Sequence, residues 1–197
     1  MTKRFQSRGK SGVSVFRTAP LQPARPFTQH PFSAKVELIG SPTPMIFISR
    51  EIYSRMWHIV DLAQEEVSWL GVVERTKHGN FIISEIFLLK QEVGPVHTTL
   101  SEDGIAELGT ELITNRANGV DVANSLLFWG HSHVNMGTFA SGQDEKQLLQ
   151  FQQNGAPWFI RGILNRLGRM EFTIFLWEFG VKITDAPWTV WDSVDDR

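Results

Sequence analysis

Two histidines at i, i+2, His131 and His133, precede Ser141 and Asp144 at i, i+3 in the stretch FWGHSHVNMGTFASGQDEKQLL, residues 128–149. On a strand, side chains two apart share a face, so His131 and His133 can converge on one point while Ser132 looks away. On a helix, side chains three apart share a face, so Ser141 and Asp144 can look at that point from across the intervening loop. Two imidazoles and one carboxylate suffice for a catalytic Zn²⁺, about one per chain, that keeps a fourth position open for water. The chain contains no cysteine. Disulfides, iron–sulfur clusters and Cys-ligated zinc are therefore excluded, and any metal must use His and carboxylates. The remaining histidines suit the task less. His58 falls on or beside a helix, where a lone histidine is ordinarily a surface residue. His78 belongs to a turn, and His97 to an extended stretch, 95–100.

The elements that would position these residues can be read in order. After a short extended run at 35–40 and a Pro42/Pro44 turn, Met45–Ile48 is apolar and Ser49 is a good N-cap. Ile52, Met56, Ile59, Val60 and Ala63 then form the apolar stripe of a helix of about four turns. Glu65 and Glu66 end it. Residues 67–73 and 81–89 read as two strands around the turn Lys77-His78-Gly79-Asn80, whose Gly79 and Asn80 suit positive φ. Ser101 caps a second helix with the stripe Ile105, Leu108, Leu112 and Ile113, and Glu102 and Asp103 suit its dipole. Residues 115–124 read as a loop and 125–133 as a buried strand. A third helix runs from about Ser141 to Gln153, with Gly155 as its stop. Strands at 158–165 and 170–179, and a short one at 181–184, complete the order. The pattern predicts a mixed sheet flanked by helices, an α/β or α+β sandwich.

The totals agree with one soluble domain: 197 residues, 42% hydrophobic and 20% charged, with a core rich in seven Trp and fourteen Phe. No apolar run approaches a membrane span, and the N-terminus lacks the apolar segment of a secretory signal, so a cytoplasmic protein without membrane contact is expected. Residues 1–36 hold seven Lys/Arg and no Asp or Glu, whereas the rest holds 12 basic and 21 acidic residues. Four prolines exclude a helix from residues 1–33. The expected organisation is a basic, disordered arm at 1–33, a domain at 34–186 and a polar tail at 187–197. The arm offers a weak contact to nucleic acid or an acidic partner through residues 1–36.

The run His131-Ser132-His133, seven residues, Ser141, two residues, Asp144 resembles the signature of the JAMM metalloproteases, the zinc-dependent MPN/JAB-domain isopeptidases. That family also carries a glutamate just before an upstream strand, in a run like E-C-G-W-L-G. Here Glu66-Val67-Ser68-Trp69-Leu70-Gly71 stands at the corresponding helix-to-strand junction. The resemblance covers roughly residues 35–184 and implies a cytidine-deaminase-like JAB/MPN sandwich. It implies that His131, His133 and Asp144 bind Zn²⁺, which lowers the pKa of its water toward about 7. It implies that Glu66 is the general base, with Glu65 its competitor, and that Ser141 donates to the oxyanion. Two departures stand out. The family usually has Pro directly after the second histidine, where this chain has Val134, and the substrate-clamping insertions of some eukaryotic members are absent. The chain thus resembles the compact prokaryotic and phage-type members.

The reading that follows is a zinc metallo-isopeptidase or peptidase. Its substrate would be the C-terminal tail of a ubiquitin-like protein or a short peptide, the tail adding as a strand beside the site. A non-catalytic MPN-type scaffold or binding module is the alternative. Scaffold members of the family usually lack the ligands that are present here.

Overall fold

The computed structural model describes residues 14–15, 43–94 and 97–192. The strand expected at 35–40 lies outside them, as does most of the arm. Its Ser14–Val15 forms a two-residue strand, β1. The chain then runs through β2 (Ile46–Ser49), α1 (Arg50–Leu62), β3 (Ser68–Arg75), β4 (Phe81–Leu88), β5 (Gln91–Gly94) and β6 (His97–Leu100). It continues through α2 (Glu102–Asn115), α3 (Gly119–Asn124), β7 (Leu126–Ser132), α4 (Gly142–Gln153), β8 (Phe159–Leu164), β9 (Met170–Leu176), β10 (Val181–Ile183) and β11 (Trp188–Trp191).

Nine strands form one mixed sheet in the order β1-β10-β9-β8-β7-β3-β4-β2-β11, and β5 and β6 form a separate hairpin. β7 lies antiparallel to β3 and parallel to β8. The chain from β7 to β8 is therefore a parallel crossover through α4, and it puts the start of α4 beside the end of β7. Helices cover both faces, as the α+β expectation requires. Period-two alternation assigns residues to the two layers. Phe128 and Ile160 face the core that contains Ile52, Met56 and Val60 of α1. Their neighbours Trp129 and Phe159 face the core that contains Leu108 of α2, Val122 of α3, and Leu148 and Phe151 of α4.

Local chemistry accounts for the helix starts. Ser49 and Ser101 each accept a hydrogen bond from a backbone N–H three residues on, from Ile52 (3.2 Å) and Gly104 (3.0 Å). The helical stripe of α1 is buried as expected at Ile52, Met56, Ile59 and Val60, while Ala63 caps the helix from outside it. His58 and His78 are exposed.

Four expectations are corrected. Residues 119–124 form α3 instead of a loop, because Val122 can drop into the second core and repay a single helical turn. Ile113 is exposed, since the covered face of α2 runs through Gly104, Ile105, Leu108 and Leu112. In the β3–β4 turn Gly79 alone takes positive φ (82°), and Asn80 instead accepts a hydrogen bond at its side chain from the Met45 N–H (3.0 Å). Residues 188–191, expected in a polar tail, form β11 parallel to β2. There Trp188 stacks on Tyr53 of α1 and Arg50 pairs with Asp192. Among the described residues no helix is long and apolar enough to cross a membrane.

Gly130 is the tightest point between the two site-bearing strands. It pairs with Trp69 across β3 and β7, and a Cβ there would be driven into the Trp69 indole, which is fully buried. Gly130→Ala is expected to destabilise the protein by about 2–3 kcal/mol through overpacking, read from the urea midpoint at unchanged m-value.

Candidate metal centre

β7 ends in His131-Ser132, and His133 follows directly. The strand's alternation sends the two imidazoles to the α4 side, where both are buried. The His131 ring stacks on Trp129 two residues earlier, with centroids 4.5 Å apart and planes 21° apart. His133 is fixed by its other ring nitrogen. Its Nδ1 lies 2.8 Å from the Gly137 carbonyl oxygen. A carbonyl only accepts, so Nδ1 carries the proton and donates, which leaves Nε2 as a bare lone pair in the neutral ring.

The third group comes from the first turn of α4. Ser141 stands at the N-cap and not inside the helix as the shared-face reading supposed. Its Oγ accepts from the Asp144 N–H (3.2 Å), and its own N–H donates to Asp144 Oδ2 (2.6 Å). This reciprocal capping box holds the carboxylate against the helix start. Glu145, the next residue, pairs with the buried Arg161 of β8 (2.9 Å), so α4 is tied to the sheet on both sides of its first turn.

The result is convergence. His131 Nε2 lies 3.1 Å from His133 Nε2 and 3.1 Å from Asp144 Oδ1, and His133 Nε2 lies 3.4 Å from Asp144 Oδ2. Four ligands held tetrahedrally at about 2.0–2.1 Å from Zn²⁺ stand about 3.3–3.4 Å from one another. The separations within the trio, with one carboxylate oxygen toward each imidazole, are close to those between corners of such a site. The buried His131–His133–Asp144 group can hold a metal ion.

The electrostatics of the metal-free cluster point the same way. Burial lowers the pKa of His131, outweighing its contact with Asp144. Burial also opposes charge on His133, but Asp144, the Gly137 carbonyl and Glu66 overcome it and raise that pKa. Burial would push Asp144 up, yet its hydrogen bonds with His131 and His133 and from the Ser141 N–H hold it well below the usual carboxylate range. A permanently ionised carboxylate beside two imidazoles attracts one positive charge, and a proton on His133 occupies that place when no cation does.

Glu66 is buried at 3% exposure whereas Glu65 is exposed, and the Glu66 charge acts on His133. The residue that secures this placement is one the sequence reading set aside. Ser132 does face away from the imidazole pair, but it clamps the residue after Glu66. Its Oγ accepts from the Val67 N–H (3.0 Å), and its own N–H donates to the Val67 carbonyl (2.9 Å). Gln91 does the same one residue on, accepting from the Ser68 N–H (2.6 Å) and donating to the Ser68 carbonyl (3.0 Å). A polar residue on the inward face of a buried strand was the available sign for Ser132; Gln91 carries no such sign. Asn165, fully buried after β8, also escaped notice. It donates to the Met136 carbonyl (2.8 Å) and so pins the loop that follows His133.

No family model matches the chain, and no curated protein matches its sequence. Among solved structures, the chain is similar to the solution structure of protein DSY2949 from Desulfitobacterium hafniense, with a TM-score of 0.54 and 18% identity over 77% of this chain and 96% of that one. At that identity the likeness concerns the fold alone.

Two outcomes test the cluster as a cation site. Zn²⁺ at about a hundredfold excess over Kd should raise the Tm by about 5–10 °C, and Asp144→Asn should abolish the rise. Because the pKa of His133 is raised, the cation must displace its proton, and binding weakens as pH falls. Calorimetry in buffers of different ionisation enthalpy should find more protons released on Zn²⁺ uptake at pH 6 than at pH 8.

Proposed function

We propose that this protein is a zinc-dependent amide hydrolase of the JAMM type, built on a JAB/MPN-like sandwich. It would act as a peptidase or isopeptidase on a short peptide or on the C-terminal tail of a ubiquitin-like protein. One observation carries the reading: a buried glutamate, Glu66, is followed by Val67, which is hydrogen-bonded at both its N–H and its carbonyl to Ser132, the residue between the two imidazoles of the metal-binding trio. A site meant only to bind a structural cation has no use for a second buried carboxylate on a segment bonded to the ligand-bearing strand.

The division of labour follows from the placement of each side chain. His131, His133 and Asp144 would hold Zn²⁺ through Nε2, Nε2 and a carboxylate oxygen. When bound, the cation supplies Lewis acidity toward a substrate carbonyl and toward water. Glu66 takes the proton of the attacking water and passes it to the leaving amine. Its neighbours Val67 and Ser68 are pinned to Ser132 and Gln91, which limits the reach of the carboxylate to one small region. Ser141 Oγ already accepts from the Asp144 N–H, and its O–H remains to donate to the carbonyl oxygen as negative charge develops there. A chain bearing this site needs no cysteine and no organic cofactor for amide hydrolysis.

Glu66→Gln separates hydrolysis from metal binding. The variant should retain about one zinc per chain by elemental analysis while cleavage of a responsive amide substrate falls by roughly 10²–10⁴-fold. Retained cleavage would rule out Glu66 as the base. A native protein that purifies without metal in a stable complex with another protein would favour the scaffold reading.

A further inference from the structure

We propose that the substrate of this site carries a large apolar side chain beside the scissile amide, and that Phe139, with Met136 and Leu167, receives it. The inference rests on the metallo-amidohydrolase reading above and narrows its substrate class. Phe139 lies in the loop between His133 and Ser141. It is 69% exposed, yet its ring is not free to wander. It meets the His133 ring in a T-shaped contact, with centroids 6.3 Å apart and planes at 79°. It also lies over Gly137, where a Cβ would stand 2.9 Å from its Cδ1. Gly137 is in turn fixed by the hydrogen bond from His133. An aromatic ring is thus braced against a metal ligand with most of its surface bare.

Two more exposed apolar side chains lie on this loop and on the turn bonded to it. Met136 is in the same loop, and Leu167 is at the tip of the β8–β9 turn, 68% exposed. The loop and the turn are bonded to each other. The His133 N–H donates to the Leu164 carbonyl (2.8 Å), the Arg166 N–H to the Val134 carbonyl (2.8 Å) and the Asn165 side chain to the Met136 carbonyl (2.8 Å). Thr138 Oγ1 donates to Glu171 of β9 (3.0 Å), closing the frame on its far side. Single exposed apolar residues are ordinary on a protein surface. Three on one loop and the turn bonded to it, one of them in ring contact with His133, are a surface prepared for an apolar partner. The reacting amide must lie within reach of Glu66 and the trio, so the side chain that meets Phe139 belongs to a residue next to that amide. A glycine-type tail would leave the rim uncovered, which favours peptides with a bulky apolar residue over such tails.

The test uses two small hydroxamates as probes on the full-length, zinc-loaded chain, with calorimetry as the readout. Acetohydroxamate presents only the chelating group, and benzohydroxamate adds an aromatic ring. Benzohydroxamate should bind about tenfold more tightly. In Phe139→Ala, whose truncated side chain is exposed, that preference should shrink to within about twofold while acetohydroxamate affinity and zinc content stay unchanged. Binding of both probes with no ring preference, or a preference that survives Phe139→Ala, would overturn the apolar rim and leave the metal site standing. Failure of both probes to bind would remove the metallo-amidohydrolase reading, and this inference with it.

Discussion

Burying a carboxylate costs several kcal/mol unless hydrogen bonds and opposite charge compensate it. Asp144 meets that requirement from two directions at once. Its Oδ2 takes the Ser141 N–H, which a helix start leaves without an intrahelical partner, and both oxygens face imidazoles delivered by β7. The same atom group therefore ends a helix-capping problem and begins a cation site. The dependence runs outward from there. α4 must start where it does because its third residue has to face β7. The crossover to β8 then sets the register in which Arg161 can reach Glu145. Arg161 is itself nearly buried, lies 5.4 Å from the Phe175 ring centre and shares Glu145 with Lys182. Loss of Asp144 would leave two buried imidazoles facing each other at 3.1 Å without the carboxylate that bridges them.

The legibility of this arrangement in the sequence has a physical basis. His131, His133, Ser141 and Asp144 are close in sequence, so strand and helix periodicities suffice to bring them together. The alternation that buries Trp129 and His131 on one face and Phe128 and Ser132 on the other is also local. What periodicity does not encode is pairing between distant segments. Nothing near Ser132 states that its hydroxyl meets Val67, 65 residues earlier, and nothing near Gln91 states that it meets Ser68, 23 residues earlier. α3 was invisible for a related reason: six residues are too few for a repeating stripe, and its buried apolar side chain, Val122, packs into a core assembled from other segments. The choice of Glu66 over Glu65 rested on family likeness. Burial now distinguishes them, and burial is a property of the whole fold.

The loop after His133 is the part of the site where this chain takes its own path. Val134 has φ of 26°, a left-handed value that a β-branched residue adopts only under constraint. Proline, with φ near −65°, cannot occupy that conformation. The turn is held by the Arg166 N–H on the Val134 carbonyl and by Asn165 on the Met136 carbonyl. The backbone is strained at Val134, and His133 and Met136 on either side of it are hydrogen-bonded. The Gly137 carbonyl reaches His133, and the apolar rim lies open, through this same turn.

β11 carries a consequence for how the molecule comes into being. It closes the sheet beyond β2 by parallel pairing, so Ile46 aligns with Trp188 and Ser49 with Trp191. The Arg50–Asp192 pair that clips the edge joins residues 142 apart. At a synthesis rate of about 5–20 residues per second, β2 leaves the ribosome roughly 7–30 s before its outer neighbour exists. During that interval the unpaired edge of β2 is a template for any passing strand. His131, His133, Asp144 and Glu66 all precede residue 145, so every residue of the candidate site has been synthesised before the strand that closes this edge of the sheet exists.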